Sequence, residues 1–127
     1  MSKFTLAWGS AALLVSAAST AYAHHSAAQF DFRNPVNQTG IVKEARFSNP
    51  HARIVLTVTD DKGTRDIEYE GHSRNNMYRQ GFLPDMMKLG DEITIRIAPM
   101  RDGADGGYVV ALLTADGKAI GNITSAD

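Results

Sequence analysis

The sequence predicts a mainly β domain, with five short strands and one short helix between the third and the fourth. Three observations carry that expectation. After residue 37, segments of alternating or β-branched residues recur, each bounded by Gly, Asp or Asn turns. Only Ser73 to Gln80 combines a helix start signal with a stop signal. The 127 residues include no cysteine, so packing rather than a disulfide framework must hold the fold.

In chain order, residues 1–23 come first. Lys3 is followed by an apolar run from Phe4 to Val15, then by small residues ending in Ala21-Tyr22-Ala23. This is the three-part plan of a signal peptide with an A-x-A cleavage site. Trp8-Gly9-Ser10 interrupts the apolar run, which falls short of the roughly 20 residues that span a bilayer. The expectation is export to the periplasm and cleavage after Ala23, with no stable membrane anchor afterwards. The remaining 104 residues carry a net charge of −2, one unit more negative than the −1 of the whole chain because Lys3 is the only charge removed. One domain is expected at that length.

Residues 24–37 are polar with scattered aromatics, Phe30 and Phe32, and close on Asn34-Pro35, which reads as an extended arm. The barrel domain is expected over 38–127. Its first strand, Thr39 to Ser48, alternates roughly and places Ile41, Ala45 and Phe47 on one face. The second, Arg53 to Thr59, is rich in β-branched residues. The third, Thr64 to Gly71, alternates cleanly, with Ile67 and Tyr69 on one side and Asp66, Glu68 and Glu70 on the other. Asp60-Asp61-Lys62-Gly63 between them is a hairpin turn.

Ser73 is the expected N-cap of the helix and Gly81 its stop, and Pro84 to Leu89 adds a further turn. Glu92 to Ala98 points Ile93, Ile95 and Ile97 inward, Arg101 to Gly107 is a glycine-rich turn, and Tyr108 to Leu113 is the fifth strand. Ala119 to Ile123 is a short closing segment. Three strands, a helix and two strands is the order of a five-stranded OB-like Greek-key barrel; a small sandwich or open meander is the alternative.

The hairpin register follows from pairing apolar side chains. With an even loop, opposed residue numbers sum to 123, so Leu56 faces Ile67, Ile54 faces Tyr69 and Arg53 faces Glu70. A slip of one residue would set Ile54 against Glu70. Carried to the strand ends, the same register sets His51 opposite His72, with Cβ atoms roughly 5 Å apart, close enough to share a metal ion.

The four histidines are His24, His25, His51 and His72. Cleavage after Ala23 would give His24 a free α-amine that chelates together with its own ring, an arrangement suited to Cu(II), with Zn(II) as the next candidate. Beside this stands the plainer reading, in which His24 and His25 are a solvated start and His51 caps the Asn49-Pro50 turn.

Taken together, Ala23-His24-His25-Ser26, Phe30-Asp31, Thr39-Gly40, Asn49-Pro50-His51, the Asp-Gly hairpin, Glu68-Tyr69-Glu70-Gly71 and Leu89-Gly90-Asp91 resemble a family of small exported bacterial proteins. Its members are catalogued as a domain of unknown function. The resemblance covers nearly all of the chain after residue 23 and implies an OB-like barrel and an exported location, with no established activity. The chain departs from the family where His72 replaces a usual glycine, where Arg74 or Asn75 stands in place of a common proline, and where Ala52 and Arg53 follow Asn-Pro-His in place of an aromatic. The departure at His72 weakens it as a shared ligand and leaves His24, His25 and His51 as the stronger candidates.

Other chemistries find little support. A mildly acidic chain lacks the clustered Lys and Arg that nucleic acid demands. No G-x-S-x-G elbow or P-loop occurs, and Gly103 to Gly107 lies between strands and opens no helix. Asp66, Glu68 and Glu70 read as a solvated face before a Ca²⁺ site. Met77, Met86, Met87 and Met100 read as core plugs before Cu(I) thioethers, and Tyr78 and Phe82 as packing residues that close the barrel. Three function classes remain: a binding module for a small ligand or a periplasmic protein partner, a copper-binding or copper-handling protein, and a metal-dependent enzyme. The last is the least supported, because no general base or nucleophile pairing is recognisable.

Overall fold

The computed structural model describes residues 27–126. Six strands form one sheet: β1 (Val36–Arg46), β2 (Arg53–Asp60), β3 (Gly63–Glu70), β4 (Glu92–Pro99), β5 (Gly107–Leu113) and β6 (Ala119–Ile120). The order is β3-β2-β1-β4-β5-β6, and β3 also pairs with β5 in parallel through Tyr69↔Gly107 and Glu70↔Tyr108. That last contact closes five strands into an OB-like barrel, with β6 appended outside the ring. Helix α1 (Arg74–Arg79) and a 3-10 turn (Pro84–Met86) lie between β3 and β4, as the order of elements predicts.

The β2–β3 register is the expected one: every pair from Arg53↔Glu70 to Asp60↔Gly63 sums to 123. Ile54, Leu56 and Val58 from β2, with Ile67 and Tyr69 from β3, therefore point into the barrel and are buried. Ile93, Ile95 and Ile97 meet them from β4. Burying such aliphatic side chains stabilises the fold by about 1.5–3 kcal/mol each. Ser73 caps α1, its hydroxyl accepting from the Asn76 N–H; the helix contributes Met77 to the core, and Phe82 just beyond it is buried there too.

The first strand departs from simple alternation. Val42 is buried and Ile41 is 39 % exposed, the reverse of the expected face, whereas Ala45 and Phe47 do pack on the core. The cause is a bulge at Lys43: the register with β2 shifts between Val42↔Leu56 and Glu44↔Val55, so inward positions change parity there. Gly90 and Asp91 clasp this point through Gly90 N–H→Val42 O at 2.9 Å and Val42 N–H→Asp91 O at 2.8 Å. Gly40 is required one step earlier, because a Cβ there would lie 2.8 Å from the Thr57 carbonyl and 3.0 Å from the Leu56 Cβ.

Candidate functional site

His51 lies near the end of the loop from β1 to β2, one residue before Ala52. That loop contains a cis Asn49–Pro50 bond and is tied to the start of α1 by Arg74 N–H, which bonds the Ser48 carbonyl and Asn49 Oδ1, each at 3.1 Å. The His51 Nδ1 atom lies 3.3 Å from the Gly71 carbonyl and 3.2 Å from Glu70 Oε1. Both neighbours only accept hydrogen bonds, so in the neutral ring Nδ1 carries the proton and Nε2 keeps its lone pair. The side chain is 45 % exposed.

His72 is held in the opposite sense. Its Nδ1 accepts from the Ser73 N–H at 3.3 Å and from Asn76 Nδ2 at 3.0 Å, which in the neutral ring puts the proton on Nε2. The ring meets Tyr108 edge-on, with centroids 6.1 Å apart.

The direct opposition of His51 and His72 expected from the hairpin does not form. The regular ladder stops at Arg53↔Glu70; beyond it the Ala52 carbonyl accepts from Gly71, while the Ala52 N–H donates to the His72 carbonyl. Two residues thus face one, and the sum passes from 123 to 124. Two constraints sit at this point. A Cβ on Gly71 would press on Ala52 Cβ at 3.0 Å, and the chain must turn at once into the Ser73 cap. His24 and His25 lie outside the described residues. Among the described residues, no three His, Cys, Asp or Glu side chains converge as a metal-binding group.

The arm before β1 is fastened to the barrel. Phe30 bridges Met100, Asp31 N–H donates to the Pro99 carbonyl at 2.8 Å, and Arg101 N–H donates to the Gln29 carbonyl at 2.8 Å. The rings of Phe30 and Phe32 each lie 5.4 Å from that of Tyr108. Tyr108 is fully buried and touches His72, so the arm reaches the end of the barrel that carries the histidines. The Asn34 side-chain amide, bonded to Asp31, holds that carboxyl below its ordinary range.

The outer face of β1, β2 and β3 is a charged lattice. Arg53 faces Glu70 in the register, yet its guanidinium goes diagonally to Glu68 at 2.7 Å and across to Glu44 at 2.5 Å, which frees Glu70 for His51. Lys43 pairs with Asp66, which also accepts from the Thr57 hydroxyl. Arg53 lowers the Glu68 carboxyl; Lys43, then Thr57, lowers that of Asp66. The three carboxylates predicted as a solvated edge are thus each partnered. A groove of about 340 Å³ runs over Lys43, Arg53, Val55 and Glu68. A neighbouring groove of about 230 Å³ shares Glu68 and adds Glu70, Phe30 and Met100. Another concavity, about 580 Å³, lies over Ile93, Leu112 and Ile120 and is lined by no histidine. Met77 and Met87 are buried, while Met86 and Met100 are partly buried against the core.

Two contacts, one at this site and one at the far turn of the hairpin, escape a reading of the sequence. Glu70 is the partner of His51, a diagonal relation hidden by the direct pairing of Glu70 with Arg53. Arg65 bonds both Asp60 and Asp105, the latter 40 positions away, and no local pattern announces that contact.

A family model described as a family of unknown function (DUF6152) matches residues 11–109, in keeping with the expected membership of an uncharacterised family. No curated protein and no solved structure matches.

Proposed function

The chain belongs to DUF6152, a family of unknown function, and from that premise we propose that it is an exported, periplasmic copper-binding module. In this reading it is cleaved after Ala23, and the barrel presents His51 to the new N-terminus. The observation that carries the proposal is the fastened arm. Phe30 packs against Tyr108, and Tyr108 against His72, so the chain upstream of Phe30 starts from the barrel end where the histidines sit. The six residue steps from His24 to Phe30 span at most about 22 Å when extended, which is an upper limit on the separation of His24 from the anchored Phe30.

The donor chemistry fits. The α-amine and ring of His24 form a chelate, and His51 Nε2 adds a third nitrogen, a set that suits Cu(II) before Zn(II). His72 fits less well, because its Nδ1 is engaged by two N–H donors.

The test uses protein purified after export, with its N-terminus read by mass spectrometry. One Cu(II) per chain is expected by calorimetry, with a nitrogen-rich EPR spectrum. An added N-terminal Met should weaken binding at least tenfold by displacing the amine. Absence of stoichiometric uptake by the processed chain overturns the copper reading, and uptake indifferent to the added Met moves the site away from His24. A second reading, a module for a small ligand or protein partner, draws on the two adjoining grooves that share Glu68 on the β2–β3 face.

A further inference from the structure

The last strand, β6, is not needed to close the barrel, because the β3–β5 contact does that. Its place is nevertheless fixed from two sides. Leu112↔Ile120 and Leu113↔Ala119 pair it to β5, and just beyond it the Ile123 N–H donates to the Val110 carbonyl at 3.1 Å. On the other side the Asn122 N–H donates to Gln80 Oε1 at 3.3 Å. Gly121, at φ +85°, lets the Phe82 ring approach so closely that a Cβ would stand 2.5 Å from it. Held in this way, Ile120 lines the concavity of about 580 Å³ together with Ile93 and Leu112 of the barrel and Met86 of the 3-10 turn. That volume falls in the range of small-molecule sites, about 300–1,000 Å³, which are mostly apolar with a few polar groups that orient the ligand.

The polar groups here are not equally engaged. The Thr94 hydroxyl is shared with that of Thr39 at 2.7 Å, and the Thr114 hydroxyl is bonded within its own turn to Asp116 and Lys118. Lys118 in turn pairs with Asp116 at 3.7 Å. Glu92, which also lines the concavity, makes no ion pair and no side-chain hydrogen bond among the described residues. A trough with apolar walls and one uncompensated carboxylate attracts a cation at that point and an apolar body along the rest, and it repels phosphates and carboxylates.

We propose that this concavity binds an amphipathic amine, whose apolar chain or ring lies along Ile93, Leu112, Ile120 and Met86 and whose ammonium pairs with Glu92. The site is separate from the histidines and does not depend on the copper reading.

The experiment titrates the purified protein with octylammonium, and with octanol and octanoate as neutral and anionic counterparts, while methyl ¹H–¹³C spectra report where each binds. Octylammonium should shift the methyl signals of Ile93, Leu112, Ile120 and Met86. It should bind about two- to fivefold more tightly than octanol, the gain of one exposed ion pair, with octanoate the weakest of the three. Added salt should narrow the difference. Glu92→Gln should bring octylammonium to the level of octanol, and Glu92→Lys should reverse the order so that octanoate binds best. Glu92 is exposed, so both variants should melt with the unmodified protein. Shifts confined to other methyl groups overturn the proposal, as does a failure of octylammonium to bind at millimolar concentration. An affinity order that neither variant changes overturns it as well.

Discussion

The two ends of the β2–β3 hairpin obey different rules. At the turn, strict pairing holds as far as Asp60↔Gly63, and Arg65 fastens the corner to Asp60 and to Asp105 of the β4–β5 loop. At the open end the same ladder breaks after Arg53↔Glu70, two residues crowd opposite Ala52, and the two histidines part company. The difference teaches where a register can be extrapolated. Apolar alternation enforces it while both strands have a core face to bury; once the alternation ends, the cap of the next helix and the contacts of a distant arm decide.

The strongest test removes the core that both ends share. Leu56→Ala, at a fully buried position, should cost about 2–5 kcal/mol. A lowered urea midpoint with an unchanged slope is the expected result. If the two ends then lost amide protection independently by hydrogen exchange, the hairpin would not be one cooperative unit.

Glycine substitutions probe each end alone. Gly71→Ala places a Cβ 3.0 Å from that of Ala52 and 3.4 Å from Met77 Cε, so an overpacking cost of about 1–3 kcal/mol is expected. Gly63 has open space around it but φ of +101°, so Gly63→Ala should cost only the backbone strain, about 1 kcal/mol. Equal melting shifts for the two would erase the distinction between a crowded end and a strained one.

The smallest effect is electrostatic and confined to the turn. Arg65 holds the carboxyls of Asp60 and Asp105 below their ordinary value of 3.8. A carboxyl whose folded pKa is lowered contributes stability above its unfolded pKa and loses it as pH falls through the lower folded value. Arg65→Ala should therefore reduce the melting temperature modestly at pH 7. The gap from the unmodified protein should close as pH falls below about 4, and salt should shrink it at pH 7. A gap that persists undiminished at pH 2 would mean that Arg65 acts by packing.

Much of the barrel was legible because its signals are local. Ile93, Ile95 and Ile97 alternate over one strand, Ser73 announces its own helix, and an Asp-Gly turn with apolar flanks admits one sensible pairing. The face of β1 was half legible: Ala45 and Phe47 pointed the right way, while the bulge at Lys43 reversed Ile41 and Val42, and a bulge leaves alternation intact on either side of itself. The candidate site was legible only in part. His51 stands out as a histidine beside a turn, but the sequence offers no means of telling it from His72, since each lies one or two residues beyond a strand end.

The sequence by itself determined the element order, the hairpin register and the core face of β2, β3 and β4, because side-chain periodicity and turn chemistry act over a few residues. It also supplied the reading of residues 1–23 as a signal peptide, on which the proposed role of His24 depends. The tertiary structure alone decided that Glu70 turns to His51 while Arg53 goes to Glu44 and Glu68, and that Phe30 and Phe32 bring the arm to Tyr108. Those choices depend on which groups meet once the barrel has closed. A carboxylate flanked by several possible donors takes the one that the packing of all the others leaves to it.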